Sequence, residues 1–188
     1  MSPRSAGEKP ATPALRVGQG FDVHPFSDDP SRRLRLGGVH VDGPGARGLA
    51  GHSDADAVAH ALADAVLGAA GLGDLGRHAP DTDDRWAGAD SLAILAMVVE
   101  RARQAGWVVV NGDCTVVAER PRLAAFVDAM AERLAVVLDA PVNVKATRAE
   151  GLGAIGRGEG IACTAVVLLA AAGSTSAAEP LGASQEEW

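Results

Sequence analysis

The sequence predicts an α+β fold, a mixed β-sheet covered by helices. Three observations predict it. Strand-like runs open the chain, LRVGQGFDV at 15–23 and RLRLGGVHV at 33–41. Segments with apolar residues at three- and four-residue spacing, the mark of amphipathic helices, then alternate with further β-rich runs. The last run, IACTAVVLLA at 161–170, is nearly continuous in apolar residues, as in a strand buried on both faces. This order mixes hairpins with strand–helix crossovers.

The elements follow in order. The run at 33–41 is expected to pair antiparallel with the first strand. A central helix is next: Val58, Ala61, Leu62, Ala65, Val66 and Ala69 share a face. Ser53, Asp54 and Asp56 offer oxygens to its first turn, and Gly71 and Gly73 stop it. Asp90 caps the helix SLAILAMVVERARQA, which Gly106 closes. Residues 107–118 are β-rich. Pro121 suits the first turn of a third helix, RLAAFVDAMAERLAVVLD. A short strand is expected at 142–146.

A single folded domain at 15–171 is expected, flanked by Pro/Ala/Ser-rich tails, 1–14 and 172–188, read as disordered. The chain has 188 residues, 47% of them hydrophobic and only 3% aromatic, so its core is built from Ala, Val and Leu. A net charge of -7 argues against nucleic acid, which needs a basic face. It leaves phosphorylated substrates open, because local cations can offset acidic ligands. Cys114 and Cys163 lie in strand-like runs and read as small buried residues in a reducing compartment. There is no run long enough to span a bilayer and no signal-peptide centre, so a cytoplasmic location with no membrane partner is expected.

The chemistry concentrates in three places. Asp22-Val-His24 ends the first strand, and period two puts Asp22 and His24 on one face. His60, on the central helix, can supply a third ligand. Asp plus two His suits Zn²⁺ with a fourth position open for a substrate oxygen. Alone, Asp-x-His reads first as a polar strand end, and an isolated mid-helix histidine as a satisfied core residue. The helix and its flanks nevertheless hold three of the chain's five histidines, His52, His60 and His78, with carboxylates crowding both ends. Asp64, one turn beyond His60, is either an orienter of that ring or a plain surface carboxylate. The second place is the loop Gly73 to Asp83, polar enough to grip hydroxyl groups or simply a solvated turn. The third is KATRAEGLGAIGRGEG at 145–160. Its glycines permit close approach of a ligand, and Arg148 and Arg157 can pair with phosphate oxygens. Glu150 can hold Mg²⁺, and a flexible surface loop is the competing reading.

Together GQGFDVHPF, GHSDADAVAHAL, LGAAGLGDLGRHAPDTDDRWAGADS, VAERPRL, NVKAT and GRGEGIAC, in this order and spacing, resemble the 2-C-methyl-D-erythritol 2,4-cyclodiphosphate synthase family over 16–169. The resemblance implies a homotrimer with active sites between adjacent subunits, in the non-mevalonate isoprenoid pathway. It implies a lyase acting on 4-diphosphocytidyl-2-C-methyl-D-erythritol 2-phosphate. The substrate's 2-phosphate attacks its own β-phosphate and expels CMP.

Carried over residue by residue, Asp22, His24 and His60 match Zn²⁺ ligands. Glu150 matches a carboxylate that helps hold Mg²⁺ or Mn²⁺ at the diphosphate. Substrate contacts match at Asp22, Val23 and His24, and at His52 and Ser53 in a mobile loop. Asp74, Leu75 and Gly76, with Ala79, Pro80, Asp81, Thr82 and Asp83, match the walls around the erythritol. Ala118, Glu119, Arg120, Pro121, Arg122, Leu123 and Ala124, with Thr147, Arg148, Ala149 and Glu150, match the cytidine and diphosphate pocket. His52 and Arg148 stand at the catalytic positions. Ala154, Arg157 and the segment near Phe21 match a threefold channel that can take isoprenoid diphosphates. Four positions depart from the pattern: Arg148 replaces threonine, Ala55 a glycine, and Ala79 and Ala154 stand where phenylalanine is frequent. Two other readings remain: a non-catalytic trimer binding CDP-alcohols or isoprenoid diphosphates, and a scaffold for upstream pathway enzymes.

Overall fold

The computed structural model describes residues 14–173, so the two expected tails, apart from their innermost residues, lie outside the described chain. Four strands form the main sheet: β1 (Leu15–Pro25), β4 (Trp107–Val117), β5 (Val142–Thr147) and β6 (Gly160–Ala171), in the order β1-β6-β4-β5. β6 runs antiparallel to both neighbours, and β5 runs parallel to β4. The parallel step needs a crossover, which α4 (Val127–Leu138) supplies. With α1 (Ala57–Ala70) and α3 (Ser91–Gln104), it covers one face of the sheet. The mixed sheet and covering helices are those expected.

α1 lies unusually close to β1, for a reason written at every second residue of the strand. Gly18 and Gly20 face the helix. A Cβ added at Gly18 would fall 1.9 Å from the Ala65 carbonyl oxygen, and one at Gly20 would fall 1.9 Å from that of Ala61. Only glycine on the strand, with alanines on the helix, permits this approach. Arg16, two residues earlier on the same face, donates to Ala70 O at 3.2 Å near the helix C-terminus. Asp22 and His24, further along that face, arrive beside His60.

Asp56 starts α1. Its carboxylate, fully buried, accepts from Val58 N and Ala59 N at 3.1 Å each. The same group accepts from Gly37 N at 2.8 Å and Gly38 N at 2.6 Å. These glycines form the turn of a miniature hairpin, β2 (Arg35–Leu36) and β3 (Val39–His40). The strand expected at 33–41, antiparallel to the first, is therefore not formed. The run folds on itself, pairing Arg35 with His40 and Leu36 with Val39. Gly37 and Gly38 have φ of +54° and +75°, the backbone of a tight primed turn, and break what looks like one strand.

Three further expectations need correction. The third helix begins at Val127, not Pro121. The Arg120–Pro121 bond is cis, and a turn closed by Phe126 N on Leu123 O (2.9 Å) follows it. The helix starts where Met130, Leu134 and Leu138, four residues apart, can all reach the core. Secondly, the two faces of β6 are not equally buried: Ile161, Cys163, Ala165, Val167 and Leu169 lie under the helices, while on the other face Ala162 and Ala170 are buried but Val166 is 43% exposed. Thirdly, the expected loops contain single turns: α2 (Leu75–His78), capped by Asp74, a 3-10 turn at Asp84–Trp86 capped by Asp83, and α5 (Gly153–Gly156). One turn is too short to show periodicity. Both cysteines are buried and form no disulfide, and no helix among the described residues is long and apolar enough to cross a membrane.

Candidate active site

Asp22 Oδ2, His24 Nε2 and His60 Nδ1 converge where the end of β1 meets α1. His24 Nε2 lies 3.0 Å from Asp22 Oδ2, and His60 Nδ1 lies 3.2 Å from the same oxygen. The two ring nitrogens are 3.3 Å apart. The outer nitrogens of both rings are also engaged. His24 Nδ1 is 2.8 Å from Ala50 O; a carbonyl only accepts, so Nδ1 carries the proton and Nε2 of the neutral ring presents a lone pair. His60 Nε2 lies 2.9 Å from Ser91 Oγ and 3.2 Å from Ser53 Oγ.

Burial pushes the Asp22 carboxyl up, but hydrogen bonds and charge from His24 and His60 outweigh it and hold the group well below the usual carboxylate range. Burial pulls His24 down; the Asp22 hydrogen bond and charge, aided by the Ala50 carbonyl, raise it on balance. A carboxylate and two imidazoles aimed at one point suit a tetrahedral divalent ion such as Zn²⁺. Among the described residues this is the one cluster of three or more such ligands. Glu150 is outside it.

The cavity beside the triad, about 270 Å³, is lined by His24, His52, Ser53, His60, Leu75, Ala79 and Asp81, with Trp86 and Ile94. His52 Nε2 donates to Asp83 O at 3.2 Å, tying the His52 loop to the Pro80–Asp83 segment. The backbone at Ala55, in the same loop, is left-handed at φ +58° and fully buried, where a side chain is disfavoured. Asp64 does not orient His60. Its Oδ1 accepts from Leu75 N at 2.7 Å, holding α2 against α1.

A second cavity, about 420 Å³, is lined by Ala118, Glu119, Pro121 to Ala124, Thr147 and Arg148, with Val127 and Ala146. The cavity brings residues of the 118–124 segment together with Thr147 and Arg148; Arg120, Ala149 and Glu150 are not among its lining residues. Arg148 reaches both carboxylates at its rim, Glu119 at 3.6 Å and Glu150 at 3.0 Å. Glu150 has a left-handed backbone, φ +51°. Strand pairing of His24 with Ile161, Ala162 with Val117, and Val117 with Thr147 puts the two cavities at the same end of the sheet. Among the expected channel residues, Arg157 pairs with Glu159 at 2.6 Å, Ala154 is exposed, and Phe21 is 57% exposed on the sheet's outer face.

Sequence reasoning missed Ser91, Trp86, Ile94 and the contact of Asp54 with Ser91. Trp86 puts an indole N–H, without a hydrogen-bond partner among the described residues, into the wall beside the triad. Ser91 follows a capping aspartate, and 31 residues separate it from His60, so no local spacing signals the contact.

Comparisons with known proteins agree with this geometry. Residues 15–170 match the model of the YgbB family. A 2-C-methyl-D-erythritol 2,4-cyclodiphosphate synthase from Geobacillus thermodenitrificans is 53% identical over 158 residues, covering 82% of this chain and 96% of the relative. The solved bifunctional IspDF of Campylobacter jejuni superposes with a TM-score of 0.80 at 42% identity, over 85% of this chain and 43% of that longer one. A solved 2C-methyl-D-erythritol-2,4-cyclodiphosphate synthase with CDP bound gives a TM-score of 0.73 at 33% identity, over 82% of this chain and 99% of that one. A match running from the first strand to the last, with Asp22, His24 and His60 gathered inside it, places the chain in the YgbB family.

Proposed function

We infer that this chain is an enzyme catalysing the reaction for which its relatives are named: conversion of 4-diphosphocytidyl-2-C-methyl-D-erythritol 2-phosphate to 2-C-methyl-D-erythritol 2,4-cyclodiphosphate and CMP. An oxygen of the 2-phosphate bonds to the β-phosphorus as that phosphorus loses its bridge to the α-phosphate, which leaves as CMP. The observation that carries the reading is the convergence of three ligand atoms on one point. Asp22, His24 and His60 would hold Zn²⁺, and Glu150 with substrate oxygens would hold Mg²⁺ or Mn²⁺. Bound there, the ions supply positive charge for phosphate oxygens that would otherwise repel one another.

The chain's own residues do the positioning. The larger cavity, from Ala118 to Ala124, takes the cytidine, with Thr147, Arg148, Ala149 and Glu150 at the diphosphate. The 74–76 and 79–83 segments wall the erythritol, and His52 and Ser53 lie at the phosphates, with the Val23 backbone between Asp22 and His24. Holding attacking and leaving oxygens in line supplies up to about 7–11 kcal/mol of the barrier reduction without an external nucleophile. His52, whose ring lines the smaller cavity, and Arg148, a cation at the rim of the larger, are the groups assigned to the charge developing in the transition state.

The working unit in this reading is a homotrimer with sites between subunits. Its support is the outer sheet face, where Leu15, Val17, Phe21, Val23 and Val166 are exposed together, an apolar surface that a partner would cover. Arg157, with Ala154, would line a central channel for isoprenoid diphosphates. A single domain at 15–171 with two tails, a cytoplasmic location and contact with upstream pathway enzymes belong to the same reading.

The test is CMP release from the diphosphocytidyl phosphate substrate with Zn²⁺ and Mg²⁺, comparing wild type with His60→Ala. Stoichiometric CMP and cyclic diphosphate, lost in the variant, is the expected result. A folded, zinc-loaded wild type that binds CDP yet releases no CMP would overturn the enzyme reading.

A further inference from the structure

Ser91 is 1% exposed and lies between His60 and Asp54. Its hydroxyl oxygen is 2.9 Å from His60 Nε2, and the hydroxyl is hydrogen-bonded to Asp54 Oδ1. Ser91 N also donates to Asp54 Oδ1 at 3.3 Å, as does Asp56 N at 3.3 Å. On the far side, Arg35 Nη1 reaches Asp54 Oδ2 at 3.4 Å, and its other terminal nitrogen reaches Asp90 at 3.6 Å. The order is Arg35, Asp54, Ser91, His60.

Proton counting gives this chain a direction. A carboxylate only accepts, and an ionised acceptor takes the stronger hydrogen bond, so the single Ser91 proton goes to Asp54. The Ser91 oxygen is then left with lone pairs facing His60 and must accept from His60 Nε2–H. Ser53, whose hydroxyl oxygen accepts Ala55 N–H at 3.2 Å and sits 3.3 Å from Ser91 Oγ, can donate its own proton to Ser91. His60 therefore keeps its proton on Nε2 and presents Nδ1, unprotonated, toward Asp22 Oδ2 and His24 Nε2. His24 reaches the same condition through Ala50 O.

We propose that Ser91 and Asp54, braced by Arg35, form a relay that fixes the tautomer and orientation of His60, making Ser91 a positioning residue for the metal centre. The inference rests on the triad holding a divalent ion. It also gives the hairpin a role: Arg35 stands on β2, Asp56 grips its turn, and an element outside the main sheet is thereby tied to His60.

The experiment measures zinc dissociation constants of the full-length protein by competition with a fluorescent chelator, for wild type, Ser91→Ala, Asp54→Asn and the double variant. Outer partners of this kind are typically worth about 10–100-fold in metal affinity, so Ser91→Ala should weaken zinc by about tenfold or more. Asp54→Asn should weaken it by several-fold. The double variant should be no worse than Ser91→Ala, because a relay already cut cannot be cut again. A folded Ser91→Ala protein within threefold of wild type would overturn the relay. So would a double-variant loss equal to the product of the single losses, the pattern of two unrelated structural effects. Should Ser91→Ala not fold, an unchanged zinc constant in Asp54→Asn overturns it equally. A wild type that binds no zinc, or that binds it as well after His60→Ala, would remove the metal reading itself and the relay with it.

Discussion

Replacing Asp56 tests how the site is held. The carboxylate is fully buried and every partner is a backbone N–H: Gly37, Val58 and Ala59 on Oδ1, Gly38 on Oδ2. An asparagine has nearly the same shape but only one acceptor oxygen. Its best orientation keeps the oxygen at the Oδ1 position and turns the NH₂ toward Gly38 N, donor facing donor. Leaving one buried donor unsatisfied costs about 1–3 kcal/mol. Opposing this, burial pushes the Asp56 carboxyl up, with Asp54 adding to the rise, so a neutral amide relieves some cost of burying charge. Four donors on two oxygens should outweigh that relief, leaving a net loss below the gross cost, up to about 3 kcal/mol, for Asp56→Asn. Asp56→Ala loses the helix cap, worth about 1 kcal/mol, and orphans two glycine N–H groups at about 1–3 kcal/mol each. The total, about 3–7 kcal/mol, is comparable to the whole stability of a domain, about 5–15 kcal/mol. Urea unfolding followed by circular dichroism measures both, as a shift in midpoint at constant slope. If Asp56→Asn is as stable as wild type or more stable, the cost of burying the charge dominates and the reasoning is refuted.

Two glycines of the same region should behave oppositely. Gly20→Ala places a Cβ 1.9 Å from Ala61 O, so α1 must move off β1, costing about 1–3 kcal/mol or more and weakening zinc binding as His60 leaves Asp22. Gly68→Ala, on α1 with nothing within 4 Å of the added Cβ, should stabilise by up to about 1 kcal/mol; thermal unfolding and zinc titration of the pair check both. Asp64→Asn should show a pH signature. Burial raises the Asp64 carboxyl, so the folded state holds that proton more tightly than the unfolded chain, and stability falls as pH rises from the ordinary carboxylate range through the raised value. The asparagine, still able to accept from Leu75 N, should melt higher than wild type at neutral pH and lose that advantage below the ordinary carboxylate range. Equal destabilisation at both pH values would refute this.

What was legible in the sequence depended on length and period. α1 and α3, at 14 residues each, show their apolar faces and their caps. The Asp22–His24 pair shows as period two on a strand, and His60 as the third ligand on the adjacent helix. The 33–41 run failed because alternation looks alike in a strand and in a hairpin, and only two consecutive glycines distinguish them. Pro121 failed because proline serves a helix start and an irregular turn equally well. Ser91 was invisible for a different reason: its contact with His60 exists only once α1 and α3 are packed. Asp64 had the right spacing to orient His60, yet Leu75 N, brought in by the tertiary fold, holds its carboxylate. Spacing along a helix fixes which side chains share a face, not which partner each selects.

β1 shows why fold and site are hard to separate in this chain. Its even-numbered residues face α1: Arg16 at the helix C-terminus, Gly18 and Gly20 under its middle, Asp22 and His24 beside His60. Its odd-numbered residues Val17, Phe21 and Val23 are 70%, 57% and 49% exposed on the other face. A slip of one residue against β6 would drive Val17 and Phe21 into space that cannot hold even a methyl group, and would turn both ligands outward. The glycines therefore do more than permit close packing. They make the wrong register sterically impossible, and so fix which face carries the ligands before any ion is bound. The apolar outer face is set by the same register, so the Asp22–His24–His60 cluster and that apolar face depend on one alignment of β1 with β6.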